Sequence, residues 1–413
     1  MRGVTFTTRG GLNKAALRQA NERLVLNTIR QNPRVSRADI VRITGLAPSS
    51  VTYIVDRLFQ HKMIYEEEVE GPAQVGRRPT ALRVQPDARM AVAVEIVKPE
   101  SRIVLANLDG DIVRKRAVRW TPNHELFFER VHSAIRGVTE PLRPEQTLGV
   151  GVGLPGTIDR ASGKVIAAEN FNWFGIDAGD LMRRQFPFPF YYENSAKLAA
   201  LSELWLSERE GKPLRDFVFI AVRSGLGTGV IINGQLLQGA HSAAAEFGHT
   251  TLYPDGRRCS CGNVGCWEQY ASDIALCRLY DELSEKEGRS PRDVDPEAVI
   301  RLAREGDSIA RRALKEIARN VGLGMVNLIW GLDPEAIVVG DWLAEAWDLV
   351  EQNIWEVVRG RVAGFHASGL RIIPSRTSTD CVLLGAAALV LNRFFNSFDN
   401  SKPGIATHAV AMQ

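Results

Sequence analysis

From residue 90 onward, short β-rich runs that end near glycines alternate with helical stretches. MAVAVEIV and RIVLANLDGDIV are joined by a turn, LGVGVGLPGTID follows a helical stretch, and FVFIAVRSGLGTGVIINGQLLQG comes later. This strand–strand–helix–strand rhythm occurs twice, which predicts two α/β lobes around a cleft. ARRALKEIARNVGLGMVNLIWGLDPEAIVVGD and TDCVLLGAAALVLNRFF then predict a long helix, a strand and a closing helix.

Length and composition set the broad class of the protein. A chain of 413 residues exceeds one ordinary core and predicts two or three domains. Its 45% hydrophobic and 24% charged residues are typical of a soluble globular protein. No run approaches the ~18 apolar residues of a membrane span, and the N-terminus lacks a signal-peptide core. We therefore expect a cytoplasmic protein without a membrane partner, in which clustered cysteines are metal ligands rather than disulfides.

The charge is distributed unevenly along the chain. Residues 1–89 contain 15 Lys and Arg against 8 Asp and Glu, a net charge of +7. Because the whole chain carries +3, the remainder carries −4. A basic segment on a mildly acidic body indicates a nucleic-acid-binding arm, with a solvated basic face as the alternative.

The segment from Asn21 to Glu68 reads as three helices followed by a strand. Ser36 is suited to cap the second helix, Gly45 to make the turn after it, and Pro48 to occupy the first turn of the third. Apolar residues at helical spacing predict the inner face of the third helix: Val51, Ile54, Val55 and Leu58. This is a helix-turn-helix pattern, whose last helix enters the major groove of DNA.

The N-terminal part of the third helix then supplies the predicted base contacts. Its small polar and aromatic residues are Pro48, Ser49, Ser50, Thr52 and Tyr53. Arg57, further along, suits a phosphate contact. MIYEEEVEGPAQVGRRPTALRV predicts two short strands around a wing, with Arg77 and Arg78 at its tip available to DNA. We expect residues 1–89 to form a winged helix-turn-helix domain, the alternative being a bundle and hairpin used for protein contact.

The run HTTLYPDGRRCSCGNVGCWEQY places three of the five cysteines within eight residues, ten residues after a histidine. His249, Cys259, Cys261 and Cys266 together fill the tetrahedral shell that Zn²⁺ prefers. A filled shell leaves no position for a reactive water, so the spacing predicts a structural zinc site. The alternative is four reduced residues in a metal-free loop.

Three motifs carry a resemblance to a known family. VRSGLGTGVIINGQLLQGAHSAAAEFGH, CSCGNVGCWEQY and the linker GRRPTALRV resemble the family of repressors, open reading frames and sugar kinases, known as ROK. The linker resembles its repressor branch, which includes xylose-operon-type regulators. The resemblance covers about residues 17 to 395. It implies an α/β protein: a winged helix-turn-helix, then a two-lobed sugar kinase/actin-like (ribonuclease H-like) body over residues 90–395, with the zinc motif at 249–266. Residues 396–413 are expected to be a disordered tail.

The resemblance also implies a set of sugar-binding residues. In sugar-binding members the glutamate and histidine of E-x-G-H, the glutamate of G-C-x-E and two asparagines hydrogen-bond sugar hydroxyls, and a glycine loop contacts the sugar through its backbone. The matching residues here are Gly156, Asn170, Asn194, Glu246, His249 and Glu268, with Asn172 as a further candidate. Surface salt bridging is the alternative role for the two glutamates.

The kinase pattern fails at two places. Ser195 stands where family kinases carry the aspartate that acts as general base, and a serine hydroxyl is not a base at neutral pH. VEIVKPES replaces the first phosphate loop, D-x-G-G-T, with Glu95, Val97, Lys98 and Pro99. The second loop, Ser224–Val230, survives as a glycine-rich turn. The losses affect phosphate chemistry and leave the sugar residues, so they predict a sensor and no enzyme.

We therefore expect a sugar-responsive transcriptional regulator. It would repress carbohydrate-utilisation genes from a palindromic DNA operator and be released by a monosaccharide that favours another arrangement of the protein. Helix-turn-helix proteins bind such sites as two-fold assemblies, so a homodimer or a dimer of dimers is expected. Two alternatives remain: a sugar kinase, and an activator or a regulator controlled by a phosphosugar or a protein partner.

Overall fold

The computed structural model describes residues 14–32, 34–68, 80–290, 294–364, 368–377 and 380–396. The chain divides into two compact units. The first comprises residues 1–89, 107–109 and 391–413, and the second comprises 90–106 and 110–390. Arg77 and Arg78 of the predicted wing tip and residues 397–413 of the predicted tail lie outside the described residues.

The first unit begins with the predicted three-helix arrangement, formed by α1 (Lys14–Gln31), α2 (Arg37–Thr44) and α3 (Pro48–Gln60). Ser36 and Asp39 form a capping box at the start of α2, in which each side chain accepts from the other residue's backbone N–H. Such a cap satisfies two N–H groups that have no partner within the helix. The helix order and the caps confirm the helix-turn-helix prediction.

The turn after α2 depends on a glycine, and the faces of α3 follow from its spacing. Gly45 has φ +68° and donates to the carbonyl of Val41, a left-handed end that glycine adopts without a steric cost. The predicted inner residues of α3 are buried: Val51, Ile54, Val55 and Leu58. Strands β1 (Ile64–Glu68) and β2 (Thr80–Val84) pair antiparallel, with Ile64 opposite Val84. These strands form the base of the predicted wing.

The second unit contains two sheets of five strands with the same topology. In the first sheet the order is β10-β6-β3-β4-β5, where β3, β4 and β5 pair antiparallel and β6 and β10 add in parallel. Its strands are β3 (Met90–Glu95), β4 (Glu100–Ala106), β5 (Ile112–Arg119), β6 (Thr147–Leu154) and β10 (Phe190–Asn194).

The second sheet has the order β13-β12-β11-β14-β15, again three antiparallel strands followed by two parallel ones. Its strands are β11 (Phe217–Val222), β12 (Leu226–Ile232), β13 (Gln235–Leu236), β14 (Ala336–Val339) and β15 (Arg371–Pro374). This internal repetition confirms the two predicted α/β lobes. A smaller antiparallel sheet is formed by β7 (Thr157–Asp159), β8 (Lys164–Ala168) and β9 (Trp173–Ile176).

Each lobe has its own apolar core, covered by helices. Trp173, Phe127 and Phe128 lie in the first core, and Trp267 and Tyr280 in the second. The helices of this unit are α4 (His124–Thr139), α5 (Ala178–Arg183), α6 (Ser195–Arg209), α7 (Glu268–Ala271), α8 (Asp273–Lys286), α9 (Pro296–Glu305), α10 (Ser308–Leu332), α11 (Asp341–Glu345) and α12 (Trp347–Arg359). A last helix, α13 (Cys381–Asn396), begins in this unit, and its residues from 391 onward are counted with the first unit. Among the described residues, every helix is too short or too polar to cross a membrane.

Candidate functional site

A cavity of about 500 Å³ opens between the two five-stranded sheets of the second unit. The structure brings all six residues of the predicted sugar set to its wall: Gly156, Asn170, Asn194, Glu246, His249 and Glu268. Asn172 does not line the cavity. It is exposed, with φ +55°, and its backbone N–H ends a short 3-10 turn.

The loop after β6 and the start of α6 form one wall of the cavity. Asn194 caps α6, because its Oδ1 accepts from the N–H of Ala196 at 2.8 Å. Its Nδ2 donates to the carbonyl of Gly156 at 2.9 Å, which fixes the loop against the helix. Gly156 has φ +69°, and a Cβ there would lie 2.1 Å from the carbonyl oxygen of Ala167. Only glycine therefore lets the backbone pass here, next to the cavity.

Glu246 lies on the opposite wall, above a buried ammonium group. Burial raises the pKa of the Glu246 carboxyl, and Lys197 opposes that rise. Lys197 is 1% exposed and donates to the carbonyl of Ser242 at 2.6 Å. Burial lowers the pKa of Lys197, while Glu193 and Glu246 raise it. A half-buried carboxyl near a buried cation is suited to accept hydrogen bonds from hydroxyl groups of a ligand.

The predicted metal ligands form a compact cluster beside the cavity. The ligand atoms of His249, Cys259, Cys261 and Cys266 all lie within 4.8 Å of one another. The Sγ atoms of Cys261 and Cys266 are 3.7 Å apart, and Cys259 Sγ is 3.6 Å from His249 Nδ1. A tetrahedral shell with Zn–S bonds of about 2.3 Å places two sulfur atoms about 3.8 Å apart. The cluster therefore has the donors and the spacing to hold a metal ion.

Glu268 contacts this cluster as well as the cavity. Its Oε1 lies 2.9 Å from Cys259 Sγ and 3.5 Å from His249 Nδ1. Burial, followed by the hydrogen bond to Glu268, raises the pKa of the Cys259 thiol. Glu268 therefore contacts two residues of the cluster and also lines the cavity.

Near the segment that replaces the first phosphate loop, the cavity ends at a group of paired charges centred on Arg223. Arg223 Nη1 donates to Glu95 Oε1 at 2.9 Å, and Arg223 Nε donates to Asp341 Oδ1 at 2.6 Å. Glu95 is fully buried at the end of β3, and Asp341 begins α11. Burial alone would lower the pKa of Arg223, but Asp341 and Glu95 raise it well above its usual value. The three side chains connect the two sheets across the cleft.

Three more side chains extend the network on the side of the first sheet. Arg102 pairs with Glu95 through Nε at 2.9 Å and with Asp380 through Nη1 at 3.0 Å. Lys115 Nζ pairs with the other oxygen of Asp380 at 2.8 Å. Three cations and three carboxylates therefore balance one another within this network.

Ser195 has a structural hydrogen bond of its own. Its Oγ donates to the carbonyl of Leu154 at 3.3 Å, at the N-terminus of α6. Val97 lines the cavity nearby, and its N–H donates to Ser101 Oγ at 3.1 Å. Branched side chains and an occupied N–H replace the open glycine backbone that a phosphate loop requires.

Several of these functional residues escaped the sequence reasoning. Arg223, Asp341, Arg102 and Lys197 act through partners far away in sequence, which no local pattern reveals. The only local signal was a charged residue immediately before the glycine-rich turn at 224–230, together with the glutamate that ends β3.

The proposed DNA-binding face of α3 lies in the first unit. Pro48, Ser49, Thr52 and Tyr53 are exposed, and Ser50 is half-buried. Arg57 was predicted to contact phosphate, but its Nη1 lies 3.2 Å from Glu22 Oε2 in an ion pair with α1. Arg57 thus also ties α3 to α1, and its phosphate contact stays a prediction. Sequence reasoning missed Arg18, whose guanidinium lies 4.8 Å above the Tyr53 ring.

Together, these features define a protein class: a winged helix-turn-helix unit joined to a two-lobed body of the sugar-kinase type. A family model described as "ROK family" matches residues 91–393, and one described as "Winged helix-turn-helix DNA-binding" matches residues 18–58. The chain belongs to the ROK family.

Individual relatives agree with this assignment. A xylose repressor from Caldicellulosiruptor bescii is 31% identical, over 92% of this chain and 97% of the relative. A crystal structure of a ROK family transcriptional regulator, a homologue of the E. coli MLC protein, matches with a TM-score of 0.78 over 92% of this chain and 97% of that one, at 23% identity, and supports the fold. A ROK family glucokinase from Streptomyces griseus, in complex with glucose and AMPPNP, matches with a TM-score of 0.65 and 28% identity, over 73% of this chain and 98% of that one.

Proposed function

We propose that the protein is a sugar-responsive transcriptional repressor. The observation that carries the proposal is a cavity with fixed hydrogen-bonding groups in a chain that also has a winged helix-turn-helix. The sugar occupies the cavity and contacts Gly156, Asn170, Asn194, Glu246, His249 and Glu268. The winged helix-turn-helix binds a palindromic operator as part of a homodimer or a dimer of dimers.

D-Xylose is the first effector to test. The chain is 31% identical to a protein named xylose repressor, and the two align over nearly their whole lengths. Carboxylate, imidazole and amide groups can distinguish a pentose from its epimers, because each hydroxyl must meet a fixed partner. Sugar binding favours one arrangement of the protein, and DNA favours another, so each ligand weakens the other by the same factor.

Zinc is the metal we propose for the loop of His249, Cys259, Cys261 and Cys266. Three thiolates and one imidazole complete a tetrahedral shell, so the metal stabilises the loop and does no chemistry. When bound, it holds His249 by one ring nitrogen and leaves the other for a sugar hydroxyl. Glu268 lies next to this loop, with its Oε1 3.5 Å from His249 Nδ1, so an ordered loop would also keep this part of the cavity wall in place.

The protein has no kinase activity in this proposal. The Oγ of Ser195 donates to the Leu154 carbonyl, and no carboxylate base occupies that position. At the phosphate end, Arg223 is paired with Glu95 and Asp341, so its charge is already balanced. Phosphoryl transfer needs a base or oriented nucleophile and unpaired donors for the phosphate oxygens.

A paired experiment tests the proposal. The full-length protein is titrated with D-xylose, D-glucose, N-acetyl-D-glucosamine and D-glucose 6-phosphate by calorimetry, and with duplex DNA from the adjoining intergenic region by fluorescence anisotropy. A coupled assay measures ADP formed from each sugar and ATP. We expect one sugar to bind and to lower DNA affinity. Release by a phosphorylated sugar alone would support the phosphosugar alternative, and ADP production with sugar and ATP would support the kinase.

A further inference from the structure

The segment that replaces the first phosphate loop contacts the cavity wall on the side of the predicted sugar residues. Lys98 occupies a position where the kinase pattern has a small residue. Its Nζ donates to the backbone carbonyl of Asn170 at 2.6 Å, across 72 residues of sequence. Lys98, which lies in the segment that replaces the phosphate loop, is therefore hydrogen-bonded to Asn170, one of the proposed sugar-binding residues.

Two aromatic rings hold the Lys98 ammonium in place. Its Nζ lies 3.7 Å from the centroid of the Trp120 ring and 5.0 Å from that of Phe171. The two rings pack edge to face, with centroids 6.3 Å apart, and Phe171 is buried at 8% exposure. A cation over an aromatic face gains attraction and loses side-chain freedom, so the amine is fixed where it meets the Asn170 carbonyl.

The other end of Asn170 faces the second sheet of the body. Its Nδ2 donates to Ser224 Oγ at 2.7 Å, at the start of the surviving glycine-rich turn. Lys98 therefore holds the backbone of Asn170, while the Asn170 side chain reaches across the cavity to Ser224. A shift of the backbone by a fraction of an ångström would change where the amide meets a ligand hydroxyl.

From these contacts we infer that Lys98 is a positioning residue of the sugar site, which sets the place of the Asn170 amide. The inference rests on the proposed sugar-responsive function. Lys98 reaches the sugar through Asn170 rather than by contact of its own. The segment that replaces the phosphate loop thus supports sugar recognition through Lys98 instead of binding phosphate.

The test is a double-mutant cycle on the full-length protein, with D-xylose, D-glucose and N-acetyl-D-glucosamine as probes in calorimetry. Lys98→Met keeps the length of the side chain but removes the charge and the donor. We expect it to weaken binding of the recognised sugar about tenfold. Lys98→Arg, which keeps both the charge and the donor, should recover most of the affinity.

The second arm of the cycle uses Asn170→Ala. Because Lys98 acts through Asn170, adding Lys98→Met to Asn170→Ala should change sugar affinity less than twofold. A merely structural role for Lys98 predicts equal losses in both backgrounds. Trp120→Leu, which removes the ring beneath the ammonium, should weaken binding in the same direction by a smaller factor, and it serves if Lys98→Met fails to fold.

The outcomes separate the two hypotheses. Sugar binding that is unchanged in Lys98→Met, or losses that simply add in the double variant, would overturn the role of Lys98 and leave the proposed function standing. A wild-type protein that binds none of the three sugars would overturn the proposed effector and, with it, the positioning role. Melting temperature and metal content of each variant exclude general unfolding as the cause of a loss.

Discussion

Arg223 and Glu95 form an ion pair across the cleft, with Nη1 and Oε1 2.9 Å apart and the carboxylate fully buried. The two residues lie 128 positions apart, one at the end of β11 and the other at the end of β3. They join the two five-stranded sheets beside the cavity, whose wall includes Arg223.

Arg223→Met tests the strength of this pair. The change leaves Asp341 buried without its cation and removes one of the two cations beside Glu95, so we expect the free energy of unfolding to fall by about 3 kcal/mol. Chemical denaturation measures it. Arg143→Met is the matched control, because its side chain is 75% exposed and should change stability by less than about 0.5 kcal/mol. Equal stability of the two variants would show that the network contributes little.

The second prediction is that a base at position 195 does not restore phosphorylation. Wild-type protein should phosphorylate no sugar at rates on the order of 1 per second. Ser195→Asp should remain inactive in the same coupled assay for ADP, because the Arg223 pairs and the Val97 segment still block the phosphate end. A ROK glucokinase is the positive control. Turnover by the wild type or by Ser195→Asp would contradict the proposal that this cleft does not support phosphoryl transfer.

The third prediction concerns the metal content and the thermal stability of the protein, through the cluster of His249 and three cysteines. Purified protein should contain about one zinc ion per chain by elemental analysis. Cys261→Ser should lower both the metal content and the melting temperature, because metal binding stabilises the folded state. Cys277→Ser serves as the control, since this thiol lies on α8, outside the cluster. A metal-free preparation with the same melting temperature and ligand affinity would rule out a structural metal.

Glu246→Ala should separate the two functions of the chain. Loss of this half-buried acceptor should cost about 1 to 3 kcal/mol of sugar binding. The variant should bind operator DNA normally but need more sugar for release. Calorimetry and anisotropy measure the two affinities, and the exposed Glu351→Ala on α12 is the control. Normal sugar binding by Glu246→Ala would remove this residue from the proposed site.

Variants of the wing should have the opposite effect to Glu246→Ala: they should weaken DNA binding and leave sugar binding intact. Arg77→Ala together with Arg78→Ala should weaken operator binding and reduce its salt dependence by roughly one unit of slope per lost phosphate contact. Sugar affinity should stay within twofold of the wild type. Arg361→Ala, an exposed arginine of the body, is the control for charge alone. Unchanged operator affinity at physiological salt would mean that the wing takes no part in recognition.

The sequence predicted features whose cause is local. Ser36, Gly45 and Pro48 mark the limits of α2 and α3, because capping and left-handed turns depend on a few neighbouring residues. The cluster of His249 and three cysteines was identifiable for the same reason, since the cysteines lie within eight residues and the histidine is close by. The repeated strand pattern indicated two lobes, and the family motifs indicated which fold joins them.

Other features were decided only by tertiary structure. Arg57 appeared suited to a phosphate, yet Glu22 on another helix pairs with it. In the sequence, Lys98 indicated only that the first phosphate loop is altered, whereas the fold brings its amine to the carbonyl of Asn170. Local sequence determined the elements and their ends, because helix caps, turns and metal spacings depend on near neighbours. The pairing of buried charges was left to the fold, because the energy of an ion pair depends on distance and burial, which the sheet topology sets between residues more than a hundred positions apart.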